Sequence, residues 1–196
     1  MPKVTEAYRA ARRDEIVDAA LRCFAARGYS RTAMSDVIAE SGLSAGAIYG
    51  HFAGKKELFI ATATRILDAR VLELDARRGD GDPLSPAEVL VTLIEGMRRE
   101  RFVGMLPQLW GEAAIDPEIR SIVSRVLHRL YETISDRLVE WASAEPARAD
   151  GDPEAWAARV TPVVLAVAPG FMIQRTVLDD FDEEAYLAAV REVLPH

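Results

Sequence analysis

The chain has 196 residues, of which 49% are hydrophobic and 28% charged, and its formal net charge is −7. This composition excludes a disordered chain, and the length is sufficient to bury a sizeable core. The one cysteine, Cys23, excludes an intrachain disulfide and is typical of the reducing cytoplasm, where we expect the protein to act. The basic N-terminus has no apolar run behind it, so we expect no secretory signal. Because cysteine and histidine do not cluster, we expect no metal, and we expect no cofactor.

The charge is distributed unevenly along the sequence. Basic side chains outnumber acidic ones over the first 60 residues, whereas acidic side chains dominate the remainder. This asymmetry is expected when only the N-terminal part of a protein meets phosphates. Chance clustering on solvated helix faces gives the same pattern, so charge alone does not establish nucleic-acid binding.

Nearly every segment has the pattern of an α-helix, because strand-like alternation is missing and Ala, Leu, Arg and Glu dominate. The first helix is predicted over roughly 9–27 and ends at Gly28, a residue that accepts a left-handed backbone. Thr32 is predicted to cap a short second helix, and Ser44 a short third helix that ends near His51.

The rest of the chain predicts longer helices, separated by polar breaks at residues 79–83 and 145–152. The longest nearly apolar stretch, 162–173, holds two prolines and is expected to be too short to span a bilayer. We therefore expect no membrane partner. The longer predicted helices cover roughly residues 55–78, 86–99, 105–114, 117–144, 153–178 and 182–194.

The segment from Thr32 to Leu58 carries the most informative pattern. Its two short helices are joined by a turn that contains Gly42, and Ser44 caps the second helix, which is the layout of a helix-turn-helix. Small residues at positions 45–47 let this second helix approach DNA closely and aim backbone N–H groups at phosphate oxygens.

Longer hydrogen-bond donors follow these small residues. Tyr49 and His51 lie near the end of the predicted recognition helix, and Lys55 and Lys56 begin the next helix, where they suit the flanking DNA backbone. Few of these side chains discriminate strongly between base edges. We therefore expect phosphate contacts to supply most of the affinity.

The same residues belong to a pattern that runs without a gap from Gly28 to Leu58. This pattern resembles the DNA-binding region of TetR family repressors. The matching residues are Gly28, Tyr29, Thr32, Asp36, Val37, Gly42, Leu43, Ser44, Gly46, Ile48, Tyr49, Phe52, Lys55, Glu57 and Leu58.

The resemblance implies an all-α fold of about nine helices, with a three-helix DNA-binding domain over residues 1–54 and a ligand-binding and dimerisation domain over residues 55–196. It also implies a homodimeric repressor that binds a near-palindromic operator in double-stranded DNA and is released by a small apolar or amphipathic effector. The family's DNA contacts fall on Thr32, Ser44, Ala45, Gly46, Tyr49, His51 and Lys55.

Four positions depart from what is usual in the family. Ala45 stands where many relatives carry Lys, Ala33 replaces a usual Ser or Thr, and Ile38 replaces a usual Ala. Gly50 falls within the recognition helix, where glycine costs about 1 kcal/mol of helix propensity relative to alanine. These departures leave the motif intact and the operator sequence open.

The resemblance weakens after the motif, so the effector-binding residues are hypotheses. Residues 101–112 resemble the crossing helix that lines the ligand cavity in relatives, and the segment that follows Pro169 and Gly170 is expected to face the same space. Ligand pockets are usually apolar with a few polar anchors, although ordinary core packing explains any one such residue at least as well. The predicted effector contacts are Phe102, Met105, Leu109, Trp110, Phe171, Met172, Gln174 and Arg175.

The last two predicted helices are the usual dimer elements of the family. A dimer is required because two reading heads about 34–36 Å apart meet successive major grooves, whereas one short motif buries too little DNA surface. We expect the effector to favour a dimer in which the two DNA-binding domains no longer match this spacing. The helix at 55–78 belongs to both halves of the chain and is expected to transmit the change.

The sequence leaves three alternative functions to consider. An enzyme is disfavoured, because His51, His128 and His196 are scattered and no catalytic triad, P-loop or dinucleotide motif is present, so no catalytic residue is assigned. A DNA-binding protein controlled by a protein partner or by its abundance, without a small-molecule ligand, fits the motif. Membrane-surface binding by the first helix is disfavoured, because acidic residues are mixed with its arginines.

Overall fold

The computed structural model describes residues 6–77, 82–99, 104–144, 146–149 and 151–195. Within these ranges the chain forms nine α-helices, one short 3-10 turn (Pro146–Ala149) and no strand, which confirms the predicted all-α fold. The helices are α1 (Glu6–Arg27), α2 (Met34–Ser41), α3 (Ala45–Tyr49), α4 (Lys55–Ala76), α5 (Pro86–Arg99), α6 (Met105–Ile115), α7 (Pro117–Ala144), α8 (Pro153–Val177) and α9 (Glu183–Val193).

The observed helix ends differ from the predicted ones mainly in the first three helices. α1 begins at Glu6, three residues before the predicted start, while α3 ends at Tyr49, two residues before the predicted end. Gly50 follows α3 as its C-cap, and its N–H donates to the carbonyl of Gly46. Glycine has a low helix propensity, which is consistent with the early end of α3.

The helices sort into two compact units, each of which is discontinuous in sequence. The first unit comprises Met1–Ile66 and Arg101–Val123, and the second comprises Leu67–Glu100 and Ser124–His196. The first unit therefore contains α1, α2, α3, α6, the beginning of α4 and the beginning of α7. The predicted functional boundary between residues 54 and 55 divides the chain differently and stays a prediction.

The core of the first unit is built on the apolar face of α1. Ile16 and Phe24 of this helix are fully buried, and the Phe24 ring meets the ring of Phe59 from α4 edge to face at 5.3 Å between centroids. Val37 of α2 and Ile48 of α3 are also fully buried. The apolar positions of the helix-turn-helix therefore hold its two helices in the unit.

In the second unit, α5 packs against both α8 and α9. Most of its side chains between Pro86 and Met97 are buried, in agreement with a helix at the centre of the unit. α8 continues without interruption through Pro162 and Pro169. Its buried residues are Ala157, Thr161, Val164, Ala168, Phe171 and Met172.

The structure places the apolar stretch at 162–173 within a longer helix, α8. The apolar stretch at 162–173 is part of a helix of 25 residues, which contains an 18-residue window with a mean hydropathy of 1.5. α8 is the one helix in the described part of the chain that is long and apolar enough to cross a membrane by length and composition. This is weak evidence, because the core helix of a soluble protein passes the same test.

Charged side chains are buried in the second unit. Arg70 of α4 is 3% exposed and pairs with Glu73 at 3.1 Å. A buried guanidinium needs such a partner, because removing a charge from water is costly. Gly96 of α5 faces this pair, and a Cβ added there would overlap Glu73 Oε2 and lie 2.5 Å from Arg70 Nη1. The glycine thus makes room for the ion pair.

We expect Gly96→Ala to destabilise the protein by about 1–3 kcal/mol, the usual cost of overpacking, because the new Cβ displaces the carboxylate paired with buried Arg70. The matched control is Gly111→Ala in α6, where an added Cβ meets nothing within 4 Å. This control should gain up to about 1 kcal/mol from the better helix propensity of alanine. Urea denaturation measures both variants, and a Gly96→Ala protein as stable as the wild type would contradict the packing described here.

Candidate nucleic-acid interface

The turn between α2 and α3 has the geometry that the sequence predicts. Gly42 adopts a left-handed backbone with φ +66° at the C-cap of α2, a conformation that other residues rarely adopt. Ser44 caps α3, because its Oγ accepts the N–H of Ala47 at 3.2 Å. These two residues set the direction in which α3 leaves the turn.

α3 buries one side chain and exposes the rest. Ile48 is fully buried, whereas Ala45, Gly46 and Tyr49 are exposed, with 52% of Tyr49 accessible. An added Cβ at Gly46 would meet nothing within 4 Å, so the space in front of the helix is open. His51, which follows the helix, is half-buried. The structure therefore brings these predicted residues and Ser44 onto one short exposed segment.

Thr32 lies inside the unit instead of on its surface. Its side chain is 1% exposed, and its hydroxyl donates to the carbonyl of Gly28 at 2.7 Å. The N-cap of α2 is Ala33, so the prediction that Thr32 caps this helix is wrong. The reason is that Asp36 accepts the Ala33 N–H at 2.8 Å and supplies the cap from within the helix. The DNA contact of Thr32 stays a prediction.

Asp36 holds the beginning of α2 with both carboxylate oxygens. Oδ2 accepts the N–H of Ala33, and Oδ1 pairs with Nη1 of Arg27 at 2.5 Å. The backbone hydrogen bond from Ala33, assisted by Arg27, lowers the pKa of Asp36 below its ordinary value. The ionised carboxylate therefore fixes α2 to the end of α1.

Lys55, at the start of α4, reaches the turn between α1 and α2. Its Nζ donates to the carbonyls of Tyr29 at 3.1 Å and Ser30 at 3.3 Å, and lies 4.5 Å from the centroid of the Tyr29 ring. An ammonium group has three donors. Lys55 can therefore anchor the turn with two of them and offer the third to a phosphate.

Lys56 is held by acidic side chains of the same unit. Its Nζ pairs with Asp116 at 2.7 Å and Glu118 at 2.5 Å. Hydrogen bonds to Asp116 and then to Glu118 raise the pKa of Lys56. These two carboxylates therefore compete with the flanking DNA phosphates, which Lys56 was expected to contact.

The predicted effector contacts fall into both units. Leu109 of α6, in the first unit, is 1% exposed, and Trp110 beside it is half-buried. Phe102 and the side chain of Met105 lie outside the described residues. The effector role of these four residues stays a prediction.

The predicted contacts on α8 belong to the second unit. Phe171 and Met172 are buried, and the Phe171 ring packs against two other aromatic rings of that unit. Gln174 is exposed, and Arg175 is half-buried and pairs with Glu183 at 2.9 Å. Packing and ion pairing thus already occupy three of these four side chains in the structure.

Two residues that organise the motif were not singled out from the sequence as site residues. Asp36 has a local signal, since an acidic residue three positions after an N-cap is a recognised capping pattern. Gln108 of α6 accepts the backbone N–H of Tyr29 at 2.9 Å. No local pattern could identify Gln108, because 79 positions separate it from its partner.

We expect Asp36→Ala to lower the denaturation midpoint at neutral pH, because Ala33 loses its cap and Arg27 its partner. The pKa of Asp36 is lowered by folding, so its stabilisation is present above the ordinary aspartate pKa of about 4. This stabilisation is lost as the pH falls through the lowered value, so the variant and the wild type should converge in acid.

The matched control is Glu40→Ala, which removes the exposed ion pair between Arg22 and Glu40 but no helix cap. Exposed pairs contribute little to stability, so the control should remain near the wild type. Thermal denaturation over a pH series measures the three proteins, and an Asp36→Ala midpoint equal to that of the control would contradict the capping role.

Comparison with known proteins places the motif in a family. Residues 16–62 match the model described as bacterial regulatory proteins, tetR family. The HTH-type transcriptional repressor Rv1474c of Mycobacterium tuberculosis is 48% identical over 63 residues, which cover 32% of this chain and 34% of that relative. The HTH-type transcriptional repressor AcnR of Corynebacterium efficiens is 30% identical over 138 residues, which cover 70% of each protein.

A solved structure has the same fold over nearly the whole chain. A transcriptional regulator from Saccharomonospora viridis in complex with choline is similar with a TM-score of 0.71 and 24% identity, covering 93% of this chain and 95% of that one. This likeness shows the fold alone, and the match to the Mycobacterium tuberculosis repressor spans only about a third of that relative. The gap-free motif and the repressor aligned over 70% of its length show that the chain belongs to the TetR family of transcriptional regulators.

Proposed function

We propose that the protein is a repressor that binds a near-palindromic operator in double-stranded DNA as a homodimer and is released by a small-molecule effector. The observation that carries the proposal is the open face of α3, where small residues and one phenol hydroxyl are exposed on a helix fixed by Ile48. Such a surface suits the floor of a major groove, because it lets the backbone approach closely. Cytoplasmic localisation follows from this role, since the operator is there.

The proposed contacts divide into two kinds. Ser44, Ala45 and Gly46 allow close approach, whereas Tyr49, His51 and Lys55 donate hydrogen bonds to phosphates. Phosphate contacts position a protein on DNA and carry no sequence information by themselves. Thr32 is proposed as the weakest member of the set, because a DNA contact would require its hydroxyl to leave the carbonyl of Gly28.

We expect Tyr49→Phe to weaken binding by roughly two- to tenfold on every DNA sequence, the equivalent of one lost hydrogen bond. Lys55→Ala should also weaken binding, and it should reduce the slope of log affinity against log salt concentration by about one, the contribution of one phosphate contact. Fluorescence anisotropy measures both, with a duplex that the wild-type protein enriches from a random pool and with a duplex of unselected sequence.

The matched control is Tyr131→Phe on α7, in the second unit, which should bind DNA as the wild type does. Tyr49→Phe binding as tightly as this control would remove Tyr49 from the interface, and an unchanged salt dependence in Lys55→Ala would remove Lys55. A wild-type protein that enriches no duplex would overturn the DNA-binding function itself.

An exposed apolar surface in the second unit supports the homodimer. α8 exposes Val163, Ile173 and Val177, the last at 70%, and α9 exposes Val193 at 78%. Both helices already pack against α5 with their other faces. Apolar side chains exposed along neighbouring helices mark protein interfaces, and a two-fold axis joins one such patch to its copy. A second copy of this chain is the occupant we propose, because two reading heads are needed.

We expect the wild-type protein to sediment as a dimer at micromolar concentration and the double variant Ile173→Glu, Val193→Glu as a monomer, since buried carboxylates without partners are costly. The control is Leu72→Glu, which charges an equally exposed apolar residue on α4 of the same unit and should remain dimeric. Analytical ultracentrifugation decides between them. A monomeric wild type, or a double variant that still forms the dimer, would contradict the proposed interface.

The effector is proposed as a small apolar or amphipathic molecule. Its proposed contacts are apolar side chains with a few polar anchors, a mixture typical of ligand sites. The regulator from Saccharomonospora viridis holds choline in the same fold, which supports a small-molecule effector without specifying its chemistry. A compound that releases the enriched duplex, detected as a fall in fluorescence anisotropy, would identify the effector.

A further inference from the structure

The backbone of Tyr29 is held from two sides in the turn that joins α1 to α2. Its N–H donates to Oε1 of Gln108 on α6 at 2.9 Å, and its carbonyl accepts from Nζ of Lys55 on α4 at 3.1 Å. The N–H lies just after the C-terminal end of α1, in a turn between helices. The same carbonyl also accepts the backbone N–H of Thr32 at 3.2 Å. Side chains from two other helices therefore reinforce the turn's own backbone hydrogen bond at this residue.

The fit of Gln108 depends on the glycine before Tyr29. Gly28 has φ +79°, and a Cβ added there would lie 3.1 Å from Oε1 of Gln108, which is tighter than most Cβ contacts. The Tyr29 ring packs against Phe59 at 4.3 Å and Phe24 at 5.9 Å between centroids, so the residue has little freedom to move. Gln108 consequently bonds to a rigid point of the turn, although its own side chain is exposed.

α6 is tied to this unit at a second point. Asp116, the C-cap of α6, pairs with Lys56 at the beginning of α4. Gln108 and Asp116 are eight residues apart, which corresponds to about 12 Å along a helix. Two ties at this separation fix the orientation of α6 as well as its position, which agrees with the grouping of α6 and the three N-terminal helices in one compact unit.

We propose that Gln108 is a positioning residue for DNA recognition, through which α6 sets the turn between α1 and α2 and thereby the placement of α3. The order of contacts is direct: Gln108 holds Tyr29, the turn leads into α2, and α2 carries α3 through the turn at Gly42. A displacement of α6 is thus passed to the reading helix by a hydrogen bond to the backbone. This inference rests on the proposed DNA-binding function, but its first readout does not.

The first experiment measures hydrogen exchange of the Tyr29 amide by NMR. Gln108→Met removes the acceptor at similar length and helix propensity, whereas Gln108→Glu keeps an acceptor at the same place. We expect exchange at Tyr29 to rise by roughly two- to tenfold in Gln108→Met, the equivalent of one hydrogen bond, and to stay slow in Gln108→Glu. The control is Ser143→Met, which introduces the same side chain at an exposed position of α7 in the second unit.

The second experiment measures affinity for the duplex that the wild-type protein enriches from a random pool, over a salt series. We expect Gln108→Met to bind it roughly two- to tenfold more weakly, with the salt dependence of the wild type, at a temperature where both proteins are fully folded. A role in global stability alone would leave the affinity of the folded protein unchanged, and a direct phosphate contact would change the salt dependence. Ser143→Met should bind as the wild type does.

Each result decides the matter. Unchanged exchange at Tyr29 in Gln108→Met would overturn the contact, and faster exchange with wild-type DNA affinity would overturn the positioning role. A wild-type protein that enriches no duplex would overturn the proposed function, and the positioning role with it. The exchange measurement would then still show whether Gln108 holds the turn, so the two failures are distinguishable.

Discussion

The burial of Ile48 is the contact on which the reading surface depends. α3 has five residues, Ala45–Tyr49, and isolated helices shorter than about 12–15 residues are marginal in water. Hydrogen bonds along one short turn therefore cannot hold this helix in place. Its shape comes from Ser44 at one end, Gly50 at the other and the one buried side chain between them. The exposed side chains keep their positions only because Ile48 is fixed in the core.

The same constraint explains why so many polar contacts surround the turns of the first unit. A short helix follows its neighbours, so the placement of α3 is decided by α2, and that of α2 by the end of α1. Asp36 ties α2 to Arg27, while Lys55 and Gln108 tie the connecting turn to α4 and α6. Each of these contacts is modest, and together they replace the rigidity that a longer recognition helix would have by itself.

Local features of the first unit were predictable from the sequence, whereas contacts between distant segments were not. Gly42 and Ser44 occupy positions whose roles follow from backbone conformation and capping, and both have them in the structure. The pairing of Lys56 with Asp116 and Glu118 has no such signal, because the residues are about 60 positions apart. The positive charge available to DNA is therefore smaller than the excess of basic residues among the first 60 suggests, because acidic residues from later in the chain pair with part of it.

The energy needed for the proposed control of α3 is small enough for these contacts to supply it. Coupling between effector and DNA in regulated proteins is typically about 1–3 kcal/mol, and a single hydrogen bond contributes about 0.5–1.5 kcal/mol net. The hydrogen bond between Gln108 and Tyr29 is therefore of the same order as a typical coupling free energy. The proposed effector would need to weaken only a few such bonds if it displaced α6. A ligand shifts such an equilibrium only by the difference in its affinity for the two states. Strong bonds at these positions would make the protein a better DNA binder and a poorer switch.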